Sequence, residues 1–145
     1  MLRDNIVDRL KTVDGITYSY NPSKEKWLSI GRCHICYYIN HKNINTSRWM
    51  AVSNGIYSNN IGFKVSRIGT IVSATIQAKE TTTCKIIIKN NNDVLVTVEF
   101  NNEENLIIDL NTNFSQTASL KCYLEINNNS ISYPFVCLEC ASRLN

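Results

Sequence analysis

The run TIVSATIQAK, residues 70–79, decides the fold. Val72, Ala74, Ile76 and Ala78 alternate with Ser73, Thr75 and Gln77. A period of two puts the apolar residues on one face of an extended strand and the polar ones on the other. The same period recurs downstream. Cys84, Ile86 and Ile88 alternate with Lys85, Ile87 and Lys89, and Val94, Val96, Val98 and Phe100 repeat the pattern. Leu106, Ile108 and Leu110 follow, then Leu120, Cys122, Leu124 and Ile126. Strands are thus predicted at 70–78, 84–89, 94–100, 106–110, 120–126 and 134–141. The connectors agree. Residues 90–93 (NNND), 101–105 (NNEEN) and 127–130 (NNNS) are turn clusters. Asn occurs at about every seventh residue, and it tolerates the left-handed conformation that short hairpin loops demand. Strands at this spacing, with no helical segment between them, predict an all-β chain: an antiparallel β-sandwich or jelly-roll-like domain.

Upstream of residue 70 the pattern is weaker. Residues 33–39 and 49–52 read as short strands, joined by polar loops at 41–47 and 53–60. Residues 14–29, DGITYSYNPSKEKWLS, form a turn that leads to Tyr18 and Tyr20, then to a basic run and Trp27. Before it, Leu2, Ile6, Val7 and Leu10 fall at helical spacing with Asp4, Asp8 and Arg9 between them. That segment is too short to be stable alone and must dock on its own domain or on a partner. The expected organisation is an N-terminal anchoring segment, 1–13, and a β-sandwich domain, 14–145.

A chain of 145 residues makes one domain with a sizeable core. The net charge of +3 conceals an asymmetry: residues 1–72 carry ten Lys/Arg and four Asp/Glu, residues 73–145 five and eight. Scatter over a solvated surface accounts for it most simply; the alternative is a basic end that docks on an acidic partner, since a local field steers association. No run of 18 apolar residues is present, so no membrane-spanning helix is expected. The N-terminus lacks an apolar signal-peptide core, which places synthesis in the cytoplasm and the six cysteines in reduced form.

Two CxxC motifs, Cys33-His34-Ile35-Cys36 and Cys137-Leu138-Glu139-Cys140, carry a possible zinc chemistry. Both lie in strand-like apolar runs, where residues three apart face opposite ways, so one ion does not collect a whole motif. The expectation is six reduced, metal-free cysteines and no cofactor. His34 and His41 sit in no nucleophile motif, and no Gly-rich phosphate loop occurs, so no enzyme activity is expected. Arg32, Lys42, Arg48, Lys64 and Arg67 lie among Tyr37, Tyr38, Trp49 and Phe63, a composition that suits single-stranded nucleic acid. The patch is thin and the pI near 8.5, so nucleic acid is not the expected partner.

Three groups of residues carry a resemblance. They are Asp14-Gly15 with Tyr18 and Tyr20; Lys26-Trp27-Leu28-Ser29; and Gly62-Phe63-Lys64-Val65-Ser66-Arg67-Ile68-Gly69-Thr70-Ile71. Together with an ending that holds Glu139, Ala141 and Arg143, they resemble small virion proteins of tailed bacteriophages. These are the head-fibre and capsid-decoration type, including those of crAss-like phages. Ser66 stands where such proteins often have Pro, and Ile68-Gly69 where they often have Asn-Ala. The resemblance implies a β-sandwich that trimerises and projects from the capsid exterior, with the major capsid protein or another virion protein as partner. Leu2, Ile6, Val7 and Leu10 would then anchor it to the capsid, and Tyr18, Tyr20 and Trp27 would lie between subunits; the other reading of those three aromatics is an ordinary core edge. The other functional class is a module binding a glycan or receptor on a host surface. That class predicts exposed aromatics with polar neighbours in the 41–60 loops.

Overall fold

The computed structural model describes residues 10–79, 83–101, 104–127 and 129–144. Twelve strands follow one another along these residues. They are β1 (Leu10–Val13), β2 (Ile16–Asn21), β3 (Lys26–Tyr38), β4 (Arg48–Trp49), β5 (Ala51–Val52) and β6 (Phe63–Lys64) in the first half. The second half holds β7 (Gly69–Lys79), β8 (Cys84–Asn90), β9 (Asp93–Phe100), β10 (Asn105–Phe114), β11 (Ser119–Ile126) and β12 (Ser132–Leu144). No helix occurs among the described residues. Each strand predicted from residue 70 onward is present, most of them a residue or more longer than the alternation alone delimits.

The strands form two antiparallel sheets. Seven strands make the larger, in the order β1-β2-β3-β12-β7-β10 with β5 added beside β3. Five make the smaller, in the order β4-β11-β8-β9 with β6 added beside β11. The chain is an antiparallel β-sandwich. Apolar faces meet between the sheets: Ile35, Tyr37, Ile76, Val136 and Leu138 from one, Ile86, Ile88, Phe100, Leu120 and Leu124 from the other. All ten are at most 2% exposed. Burying each such side chain stabilises the fold by roughly 1.5–3 kcal/mol. A polar bond crosses this core: the Tyr37 hydroxyl donates to the Leu120 carbonyl at 2.7 Å.

The turns follow the local chemistry. Asp14 and Gly15 take φ of 52° and 79°, so a two-residue turn with both φ positive joins β1 to β2 and matches the twist of the strands. Asn91, at φ 54°, does similar work between β8 and β9. In the β2–β3 connection, Asn21 Oδ1 accepts from the Lys24 amide at 3.0 Å and from Ser23 Oγ at 2.8 Å. A side chain that satisfies the backbone in this way fixes the loop.

This arrangement corrects the reading of the N-terminus. Residues 10–13 are not helical. They form an edge strand whose partners are in β2, with Leu10 opposite Ser19 and Val13 opposite Ile16. A boundary between 13 and 14 therefore cuts a hairpin. Leu2, Ile6 and Val7 lie outside the described residues.

Candidate functional site

The N-terminal hairpin and the end of the sandwich beside it hold the strongest candidate surface. Tyr20 on β2 stands directly opposite Trp27 on β3. Their rings meet edge to face, with centroids 5.5 Å apart at 65°. Lys11 on β1 places its ammonium 4.4 Å from the Trp27 ring. Such contacts are worth about 0.5–1.5 kcal/mol each beyond area burial. Tyr20 and Trp27 remain half-buried, so part of each ring is available to another molecule. Tyr18 differs. It is 5% exposed and belongs to the chain's own interior, which leaves little of its ring for a subunit contact. Leu10 is on the edge strand and 46% exposed, and Val13 and Ile30 are 38% and 57% exposed.

The hairpin is tied back to the far edge of the sheet. Lys24, in the β2–β3 connection, donates to both carboxylate oxygens of Asp109 at 2.9 and 2.8 Å and to the Leu110 carbonyl at 2.7 Å, all on β10. Lys26 donates to Asn113 Oδ1 at 2.7 Å, and the same oxygen accepts from Thr70 Oγ1 at 2.7 Å. β10 is three strands away from β3 in the sheet order, so these bonds bridge the sheet rather than follow its ladder. Partial burial, then Arg143, then Lys24, hold the Lys26 ammonium below its usual pKa.

Beside the hairpin, residues 63–68 cross the end of the sandwich as a strap. Two glycines let it approach. A Cβ on Gly62 would sit 2.4 Å from Ser119 Oγ and 3.0 Å from the Leu120 carbonyl; one on Gly69 would sit 2.4 Å from the Phe114 ring and 2.6 Å from the Ala141 carbonyl. The strap roofs a cleft of about 420 Å³, in the range of small-ligand sites, with Ile35, Phe63, Ile68 and Phe114 as apolar walls. Arg32, Lys64 and Arg67 rim it. A neighbouring cleft is lined by Tyr18, Arg67 and Arg143. Lys64 and Arg67 carry no ion pair among the described residues. Arg32, Lys64, Arg67 and Arg143 thus gather at one end of the molecule, next to the hairpin. Its chemistry suits an acidic or amphipathic partner.

The remaining candidates disperse. Tyr37 is fully buried in the core, where it cannot stack on a base. Trp49 lies on the smaller sheet, edge to face with Tyr123 at 5.1 Å, with Lys89 at 5.2 Å from its ring. Arg32 and Lys64, by contrast, rim the cleft at the strap. The basic and aromatic residues of 32–67 therefore do not form one strip for a single strand. Neither cleft at the strap is lined by residues of the 41–60 loops. In those loops Tyr57 is 53% exposed, but Ser58 is fully buried, with its hydroxyl donating to the Cys122 carbonyl at 3.1 Å. Cys33 and His34 are strand neighbours and face opposite ways, so they form no nucleophile–base pair.

Sequence reasoning missed the meeting of the two CxxC motifs. They lie on β3 and β12, which pair with Cys36 opposite Cys137 and Cys33 opposite Cys140. All six cysteines are free thiols, and no group of three metal-ligating side chains gathers among the described residues. The signal was available: two antiparallel strands with identical C-x-x-C spacing match both pairs whenever they match one. No protein-family model matches the chain, and no curated protein sequence matches it.

Proposed function

We propose that this chain is a virion structural protein: a homotrimeric head-fibre or capsid-decoration protein held on the capsid exterior by its N-terminal end. The strand order carries this reading. Set the β1–β2 hairpin and the short β5 aside, and take β4 and β6, both paired to β11, as one interrupted strand. The eight remaining strands, counted along the chain, run 1-8-3-6 in one sheet and 2-7-4-5 in the other. That order supports a jelly roll, an architecture used by viral capsid and lectin domains. The added hairpin and the start of β3 beside it, with Leu10, Val13 and Ile30 exposed and Tyr20 and Trp27 half-buried, provide apolar surface for assembly. The cationic end beside it favours an acidic capsid surface. Catalysis and a cofactor have no part in this reading.

Jelly rolls also build lectins, so a host-surface glycan or receptor module is the second reading. The Trp49–Tyr123 pair between Lys89 and Lys121 is the observation that favours it. Two measurements separate the readings. Light scattering on the full chain should give about three times the 16.5 kDa monomer mass, and Trp27→Ala should weaken that assembly. A chain lacking residues 1–9, cut ahead of β1 so that the hairpin is kept, should fold and trimerise but fail to join particles. Decoration by that truncated chain at the normal level would remove the N-terminal anchor from the account. A monomer that binds glycans through Trp49 would favour the second reading.

A further inference from the structure

The two CxxC motifs meet across one strand pair, and this registration has a chemical consequence. Cys36 and Cys137 are directly opposed, 101 residues apart in sequence, with Cys36 Sγ donating to Cys137 Sγ at 3.5 Å. Directly opposed residues on antiparallel strands have Cα atoms about 4.5–5.5 Å apart, inside the 4.4–6.8 Å span that a disulfide tolerates. The two sulfurs need to close by about 1.5 Å to reach bonding distance, which is within the reach of side-chain rotation. Both thiols are half-buried rather than enclosed, so a small oxidant has access. Cys33 and Cys140 are also opposed, but three residues along the strands the side chains turn to the other face. There Cys140 is 4% exposed in the wall of the cleft.

We propose that Cys36 and Cys137 form a reversible disulfide that staples β3 to β12 when the protein meets oxidising conditions. The co-reactant is a low-molecular-weight disulfide such as oxidised glutathione. One protein thiol, as thiolate, attacks a sulfur of the oxidant; an S–S bond to the protein forms and one glutathione leaves as thiolate. The second protein thiol then attacks the mixed disulfide, forms the cross-strand bond and releases the second glutathione. Two protons pass to the departing thiolates. Two electrons move from the cysteine pair to the oxidant, which becomes two reduced glutathione molecules. His34 and Glu139, paired opposite each other with a 3.6 Å contact, share the face of the sheet with these sulfurs, and Arg32 lies 3.8 Å from Glu139. Burial, then the Cys36 thiol, then Glu139 push the Cys137 thiol up to about 11, so little of it is thiolate at neutral pH and exchange through it is slow. The staple closes a loop of about a hundred residues, which restricts the unfolded chain strongly.

The full chain incubated with oxidised glutathione, then alkylated in denaturant, tests this. The expected result is a mass loss of about 2 Da with two fewer alkylated thiols, a Cys36–Cys137 cross-linked peptide, and recovery of all six thiols with dithiothreitol. The oxidised form should melt at a higher temperature than the reduced form, and C36S and C137S should each abolish both changes. C84S, which removes a thiol from neither motif, should retain them. A stable glutathione adduct without a cross-link, a cross-link joining only Cys33 and Cys140, or a cross-linked form that melts no higher than the reduced one would each overturn the proposal.

Discussion

The two ends of β3 sit in different surroundings. At its C-terminal end Ile35 and Tyr37 lie under the second sheet and are 2% and 0% exposed. At its N-terminal end Trp27 pairs with Tyr20 on an added hairpin and stays half-buried, while Ile30 is 57% exposed. The same extended backbone serves both. What differs is the covering layer, and this divides the molecule into a part that holds the fold and a part whose apolar and aromatic surface stays partly open.

Disrupting the covered part should cost most. Phe100→Ala removes a fully buried ring between the sheets and should lower stability by about 3–5 kcal/mol in urea or guanidinium unfolding. A loss below about 1.5 kcal/mol would mean that the sandwich interior is not what holds the chain together. Gly69→Ala tests the junction of the two parts. The added methyl meets a backbone carbonyl, which cannot move aside as a side chain tip can, so a loss of about 1–3 kcal/mol is expected. Unchanged stability there would place the strap farther from β12 than described.

Alkaline pH sharpens the same contrast. Burial raises the Cys84 thiol to about 11; burial, then Cys33, Cys137 and Glu139, raise Cys140 to about 12; burial also raises Cys122. A thiol in the unfolded chain titrates near 8–9. Folded values above unfolded ones mean that the stabilisation is complete below about pH 8 and is lost as pH rises through 9 toward 11–12. Each such thiol should contribute a slope of roughly 1.4 kcal/mol per pH unit in that window. A stability curve flat from pH 8 to 11 would contradict the burial of these thiols. The smallest effect belongs to the hairpin. Lys24→Met removes the tie to Asp109 and Leu110, and since Asp109 is largely exposed the loss should be only about 0.5–1 kcal/mol and fall with added salt. Hydrogen exchange should nevertheless quicken in β1 and β2 while β8 and β11 keep their protection.

Much of this division can be traced to the sequence. From residue 70 onward the apolar residues alternate, and alternation is local information, so β7 to β12 could be read directly. In β1 to β3 the period is broken by Tyr, Ser, Lys and Trp at mixed positions, and four apolar residues at helical spacing over 1–13 competed with it. The Asp14-Gly15 turn was legible as a turn. That it joined two strands was not, because β1 has only four residues and little apolar face. The aromatic group at Tyr18, Tyr20 and Trp27 was visible as a cluster, but its split into one interior and two half-buried residues depends on packing. The meeting of Cys36 with Cys137 depends on pairing across about a hundred residues, which no local pattern specifies.

The central claim is that this chain is a stoichiometric component of a phage particle. Quantitative mass spectrometry of salt-washed, purified particles of a phage whose genome carries this coding sequence tests that proposal most directly. The account predicts its peptides at a fixed ratio to the major capsid protein, and a loss of that signal when residues 1–9 are deleted. The full-length chain abundant in infected-cell lysate yet missing from the particles would contradict it.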